Sequence, residues 1–178
     1  MHFHETQRFR QWWVWALFIV AIILPFNREW LKAHVSFLQR VPITGLHIIP
    51  MTILAAVMIL FLLVKLETGL DEAGVYYRFF PLQLKTRHRL WNEINRAYIR
   101  TYSPIIEYGG WGFRIGLFGK GGALNISGKI GLQLEFKDGK RLLLGTNNRK
   151  ELDIVMQELY KKGVVKDATD SPDIKDRY

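Results

Sequence analysis

The 178-residue chain contains no cysteine, which excludes disulfides, thiolate nucleophiles and thiolate metal sites. Histidine is scarce and scattered. His2 and His4 lie near the start, His34 and His47 lie close to apolar runs, and His88 stands alone. None has metal-ligand spacing with a carboxylate partner, so no metal or cofactor is expected. Ser103, Ser127 and Ser171 lack the strand-turn-helix context of an activated serine. Asp71-Glu72 is a carboxylate pair, but its turn-prone setting suits solvated residues better than acid–base chemistry. No phosphate-binding GxxxxGK[ST] loop occurs. Gly110-Trp111-Gly112 starts like a dinucleotide fingerprint but has Ile115 where the last glycine is needed. Together these absences predict a non-enzymatic protein. Nucleic acid is not an expected partner either: the net charge is +9 and the pI about 9.9, but the basic residues are interspersed with acids and no reading helix is apparent.

Long apolar runs are also missing, except in the first 65 residues. Residues 12–26 (WWVWALFIVAIILPF) and 46–64 (LHIIPMTILAAVMILFLLV) carry no acidic or basic side chain. A bilayer core about 30 Å thick is crossed by roughly 20 apolar helical residues. The second run predicts a span outright, and the first predicts one helped by its flanks. Arg8 and Arg10 suit the headgroup region, and Trp12, Trp13, Trp15 and Trp30 suit an aromatic belt. The bulky LPFNREW that follows lacks a signal-peptidase motif, so the first run reads as a retained anchor. Arg8, Arg10, Lys65, Arg78 and Lys85 outside the runs, against Arg28, Lys32 and Arg40 between them, favour both termini in the cytoplasm. The connecting loop predicts a short amphipathic helix, with Trp30, Leu31, His34, Val35, Phe37 and Leu38 on one side. The expected organisation is a two-helix membrane anchor over residues 1–65, a β domain with a C-terminal helix over 66–162, and a disordered tail over 163–178. The lipid bilayer is the expected partner of the anchor, in the cell membrane.

From residue 66 the pattern changes to period-two alternation broken by turn residues. Strands are predicted at 64–70, 75–80, 84–90, 97–102, 112–117, 123–126, 130–136 and 141–145. In the last pair, a two-residue Asp-Gly turn would set leucines beside polar residues. A three-residue loop with left-handed Gly139 instead pairs Leu134 with Leu142 and Leu132 with Leu144, and is preferred. Asn148 and Glu151 have capping-box spacing, Leu152, Val155, Met156 and Leu159 form a helical stripe, and Gly163 suits the left-handed cap.

GVYYRFFP (74–81), LWNEINRAYIRTYSP (90–104), YGGWGFR (108–114) and ALNISGKIGLQLEFKDGKRLLLGT (123–146) carry a resemblance. Over about residues 46–160 the chain resembles a bacterial membrane-anchored family with two spans ahead of a pleckstrin-homology-like domain. The resemblance implies a membrane α-hairpin plus a mainly-β domain: a seven-stranded antiparallel sandwich or partly open barrel closed by a C-terminal helix. Members of that fold group bind lipids or peptides, or act as scaffolds. Phosphoinositide binders of this fold usually carry basic residues in the loop between their first two strands. Here that loop, GLDEAG (69–74), is acidic.

The candidate binding residues follow from alternation. Lys85, Arg87 and Arg89 share one strand parity, and Arg96, Tyr98, Arg100 and Tyr102 share another, able to stack as cation–π pairs. Trp111 and Arg114 are the recognition pair of the glycine-rich stretch 109–131, whose glycines otherwise suit tight turns. From residue 67 onward there are 19 basic and 14 acidic residues, a net of +5, which suits anionic lipid headgroups or an acidic partner. The expected function is an interaction module presented by an integral membrane protein at the membrane surface. The alternative is an assembly subunit of a membrane protein complex that recognises no headgroup.

Overall fold

The computed structural model describes residues 2–9, 11–23, 48–114 and 121–165, among which are nine strands. They form two sheets. In the first, β1 (Phe3–Arg8), β2 (Lys65–Leu70), β3 (Gly74–Phe80) and β4 (Arg87–Leu90) pair in that order, all antiparallel. The second contains β5 (Ile94–Thr101), β6 (Gly112–Arg114), β7 (Gly122–Asn125), β8 (Ile130–Phe136) and β9 (Arg141–Thr146), in the order β5-β8-β9-β7-β6. Because β9 folds back on β8 and enters between β8 and β7, it runs parallel to β7. The chain divides into two compact units, Met1–Phe9 with Val64–Tyr178, and Arg10–Leu63.

Alternation places the core. Phe3, Leu66, Leu70, Val75 and Phe79 on the first sheet, and Ala97, Leu124, Leu132, Leu134 and Leu144 on the second, are almost fully buried in one cluster. Each such leucine or phenylalanine contributes about 1.5–3 kcal/mol through burial. The predicted hairpin register holds: Leu132 faces Leu144, Leu134 faces Leu142, and Gly139 has φ +82°. The helix α4 (Arg149–Lys161, numbered after the three that precede it in the chain) adds Leu152, Val155, Met156 and Leu159 to the core. The Asn148 side chain accepts from the Glu151 N–H, and Gly163 (φ +68°) ends the helix with Val164 N–H bonded to the Leu159 carbonyl. Tyr160 donates to the Ala97 carbonyl at 2.7 Å and so covers the outer edge of β5.

The helical unit corrects the expected anchor. Helix α1 (Trp12–Ile23) has 12 residues and α2 (Ile48–Leu63) has 16, about 18 and 24 Å at 1.5 Å per residue. No helix of the described residues is long and apolar enough to cross a membrane. The predicted spans, the membrane hairpin and the integral-membrane location with both termini cytoplasmic are therefore not what this structure supports. The physical reason lies at the flanks. Residues 3–8 are taken into the first sheet as β1, so α1 cannot extend backwards, and Val64 and Leu66 are buried in the β core, so α2 stops at Leu63; residues 24–47, at the other end of each helix, lie outside the described residues. Within the unit, Phe18 meets Phe61 edge-on at 5.7 Å, while Leu17, Ile19, Ile53 and Leu62 remain more than half exposed. The predicted interfacial helix, Arg10 and Trp30 lie outside the described residues.

The β domain is corrected too. It has nine strands rather than seven, includes one parallel pair, and does not close into a barrel among the described residues. Side chains, not a ladder, join β1 to the second sheet. The Glu5 carboxylate accepts from Thr146 Oγ1 at 2.6 Å and from Asn147 N–H at 2.9 Å, and Gln7 Nε2 donates to the Gly145 carbonyl at 2.7 Å. Between β4 and β5, a 3-10 turn at Trp91–Glu93 carries the chain from one sheet to the other. The last short helix, α3 (Pro104–Tyr108), lies between β5 and β6 in the chain. Residues 115–117 of a predicted strand and the tail from 166 lie outside the described residues.

Candidate functional site

The predicted Arg-Tyr-Arg-Tyr row forms, but it is turned to internal use. Arg96, Tyr98, Arg100 and Tyr102 line the outer face of the second sheet, facing β8. Arg96 lies 3.7 Å from Glu135, and Tyr98 donates to the same carboxylate at 3.2 Å. Arg100 donates to Gln133 Oε1 and to the Tyr108 hydroxyl, and pairs with Glu107 at 2.8 Å. The stacking was legible in the sequence: Arg96 over Tyr98 and Arg100 over Tyr102, each at 5.9 Å. Tyr102 is buried, accepts from Asn125 Nδ2 at 3.0 Å, and has its ionisation pushed up to about 12 by burial. Asn125 in turn accepts from the Gly112 N–H. This network folds α3 and β6 onto the sheet and leaves its guanidinium groups committed.

Trp111 is half-buried and donates to the Gly128 carbonyl, while Arg114 is exposed. Arg89 pairs with Glu93 and lies over the Phe136 ring at 5.5 Å. Lys85 and Arg87 differ from these: both are exposed, and neither has an ion pair among the described residues. Lys85 belongs to the loop rather than to β4, so the predicted three-cation strand face reduces to two neighbours at the sheet edge. Of the expected interface residues on the helical unit, Trp12 and Trp13 are exposed and Trp15 is half-buried.

The loop that precedes Arg87 supplies what sequence reasoning missed. Pro81 ends β3 because a proline has no N–H to offer a continuing ladder. Gln83 then turns inward: its N–H donates to the Phe79 carbonyl at 2.7 Å, and its Oε1 accepts from the Phe79 N–H. The two leucines on either side consequently point out, Leu82 at 64% and Leu84 at 72% exposure. A glutamine held inward between two exposed leucines reverses the usual burial preference.

The same end of the sheet gathers positive charge. Arg8, Lys65 and Phe80 lie side by side at the ends of β1, β2 and β3, directly before the loop. Lys65 lies over the Phe80 ring at 5.8 Å. Glu67 holds Lys65 and Arg78, each at 2.7 Å. Burial works to raise its ionisation, but hydrogen bonds from the two cations outweigh this and lower it. Arg8, Lys65, Arg78, Lys85 and Arg87 against Glu67 and against Glu5, which lies in the same cross-strand row as Arg87, leave a net of +3. The opposite end of the sheet is acidic. There Asp71 Oδ1 accepts from the Ala73 and Gly74 N–H groups, Trp91 Nε1 donates to the Asp71 carbonyl, and Glu72 pairs with Lys162. The six residues of β2 separate the two ends by about 20 Å.

Among the described residues, no group of three His, Asp or Glu side chains is placed to hold a metal ion. Comparisons with protein-family models, with curated proteins and with solved structures found no match.

Proposed function

We propose that the β unit is a non-enzymatic interaction module that works against an anionic lipid surface, which it meets with the cationic end of its first sheet. The observation that carries this reading is the concentration of unneutralised charge at that end, beside exposed leucines, with the acidic turn about 20 Å away. A negatively charged surface attracts the one end and repels the other, so a single orientation is favoured. The resemblance to pleckstrin-homology-like modules agrees with a binding role. The contact differs from the loop such lipid binders usually employ, because residues 69–74 stay acidic.

Sedimentation of the full chain with vesicles tests the reading. Binding to vesicles containing anionic phospholipid, weakened by salt and absent from purely zwitterionic vesicles, is expected. Binding indifferent to lipid charge contradicts it, because it assigns the contact to the uncharged helical residues. One observation favours a second reading, an assembly subunit: the exposed apolar side chains of α1 and α2. A single monomeric species by light scattering at micromolar concentration, without detergent, would remove self-assembly as that role.

A further inference from the structure

We infer that the loop of residues 81–86 is a lipid-penetrating wedge, in which Leu82 and Leu84 enter the boundary between headgroups and acyl chains while Lys85 and Arg87 bind headgroup phosphates. This rests on the docking reading above and adds the element that inserts and the ligand chemistry on either side of it.

Three observations carry the inference. The leucines are exposed by construction, because Gln83 between them is bonded to both backbone groups of Phe79. They therefore have no core to enter on a local rearrangement. They are also followed at once by exposed cations, Lys85 and Arg87, with Arg8 and Lys65 at the neighbouring strand ends. That order, apolar tip and then basic collar, matches the depth profile of an anionic lipid surface, where acyl chains lie beneath phosphates. Finally, the chain leaves and re-enters the β unit at this same end, through Phe9 and Val64, on its way to and from the helices of residues 12–23 and 48–63, which carry no charged side chain. A protruding tip needs no complementary pocket in lipid, whereas an acidic protein would have to offer one for each leucine.

The absence of native cysteine makes the test direct. A single Leu84→Cys variant of the full chain, carrying an environment-sensitive fluorophore, is compared with Glu72→Cys labelled at the acidic end. Both are mixed with phosphatidylcholine vesicles containing phosphatidylglycerol, with and without lipids spin-labelled on the acyl chain. The probe at position 84 is expected to shift to the blue and be quenched, and the probe at 72 to do neither. Leu82→Ser with Leu84→Ser is expected to weaken vesicle binding about tenfold per leucine, roughly a hundredfold together. The melting temperature should not change, since neither side chain supports the core. Vesicle binding that survives the double serine change, with an aqueous probe at 84, overturns the wedge while leaving electrostatic docking in place. Failure of the unlabelled chain to bind any anionic vesicle overturns both and points instead to an acidic protein partner.

Discussion

Removing the Glu5 carboxylate tests whether the first residues truly belong to the β unit. Glu5→Ala deletes two hydrogen bonds to a charged acceptor, from Thr146 Oγ1 at 2.6 Å and from Asn147 N–H at 2.9 Å. Hydrogen bonds to charged groups contribute about 1.5–3 kcal/mol each when sheltered. The first bond is partly buried and the second exposed, so about 2 and about 1 kcal/mol are assigned, roughly 3 in all. For a cooperative unit of roughly 120 residues, each kcal/mol moves the melting temperature by about 3–5 °C, giving a drop near 10 °C. Glu5→Gln keeps an oxygen for Thr146 but turns an amide toward Asn147, and should recover about half. Urea unfolding followed by circular dichroism, with the midpoint moving at constant m-value, is the suitable assay. A Glu5→Ala protein within 0.5 kcal/mol of the parent would show that β1 is not fastened to the second sheet.

Other consequences can be measured alongside. Tyr102 keeps its proton to about pH 12 in the folded chain but releases it near 10 when unfolded. Stability should thus be unaffected by this group below pH 10 and fall between 10 and 12, by on the order of 2–3 kcal/mol. Tyr102→Phe should flatten that alkaline decline relative to the parent, at a cost of about 1–3 kcal/mol near neutrality from the stranded Asn125 amide. Thr68 Oγ1 is buried with no hydrogen-bond partner among the described residues, so Thr68→Val is expected to raise stability by about 1 kcal/mol in the same urea assay. Gly145→Ala would bring its new methyl within 2.9 Å of Asn125 Cβ. It should destabilise by about 1–3 kcal/mol through overpacking, unless thermal melts show the neighbouring strand yielding freely. Arg96→Ala with Arg100→Ala should lower the melting temperature yet leave lipid affinity within about threefold, because these guanidinium groups serve Glu135 and Glu107.

Much of the β unit was legible because its signals are local. Leucine alternation fixed the β8–β9 register, and the Asn148–Glu151 spacing with Gly163 fixed both ends of α4. What failed depended on distant partners. β1 has one large apolar residue, Phe3, and its pairing rests on Glu5 and Gln7 reaching Gly145, Thr146 and Asn147, some 140 positions away. Once those residues are a strand, the first apolar run loses the N-terminal flank that would have lengthened it, while the second gives up Val64 to the β core. The candidate site divided along the same line. Arg96 and Arg100 have the look of a binding face until Glu135 and Glu107 are brought beside them. Leu84 reads as the start of an alternating strand over 84–90, and only the inward bond of Gln83 shows that Leu82 and Leu84 face outward. Pro81 followed by leucines and then cations was the one sequence signal available.

Whether the position of the charge matters, and not its sum, decides the account. Lys85→Glu with Arg87→Glu alters the net charge as much as Lys137→Glu with Lys140→Glu does. The second pair sits on the β8–β9 hairpin, which is bonded through Lys137 N–H to Glu93 beyond the far end of β4. Each cation near an anionic surface contributes about 1 kcal/mol. The first reversal should therefore weaken binding to anionic vesicles at least ~30-fold and the second by less than ~3-fold. Equal weakening by both pairs, or by neither, would contradict docking through this end of the sheet.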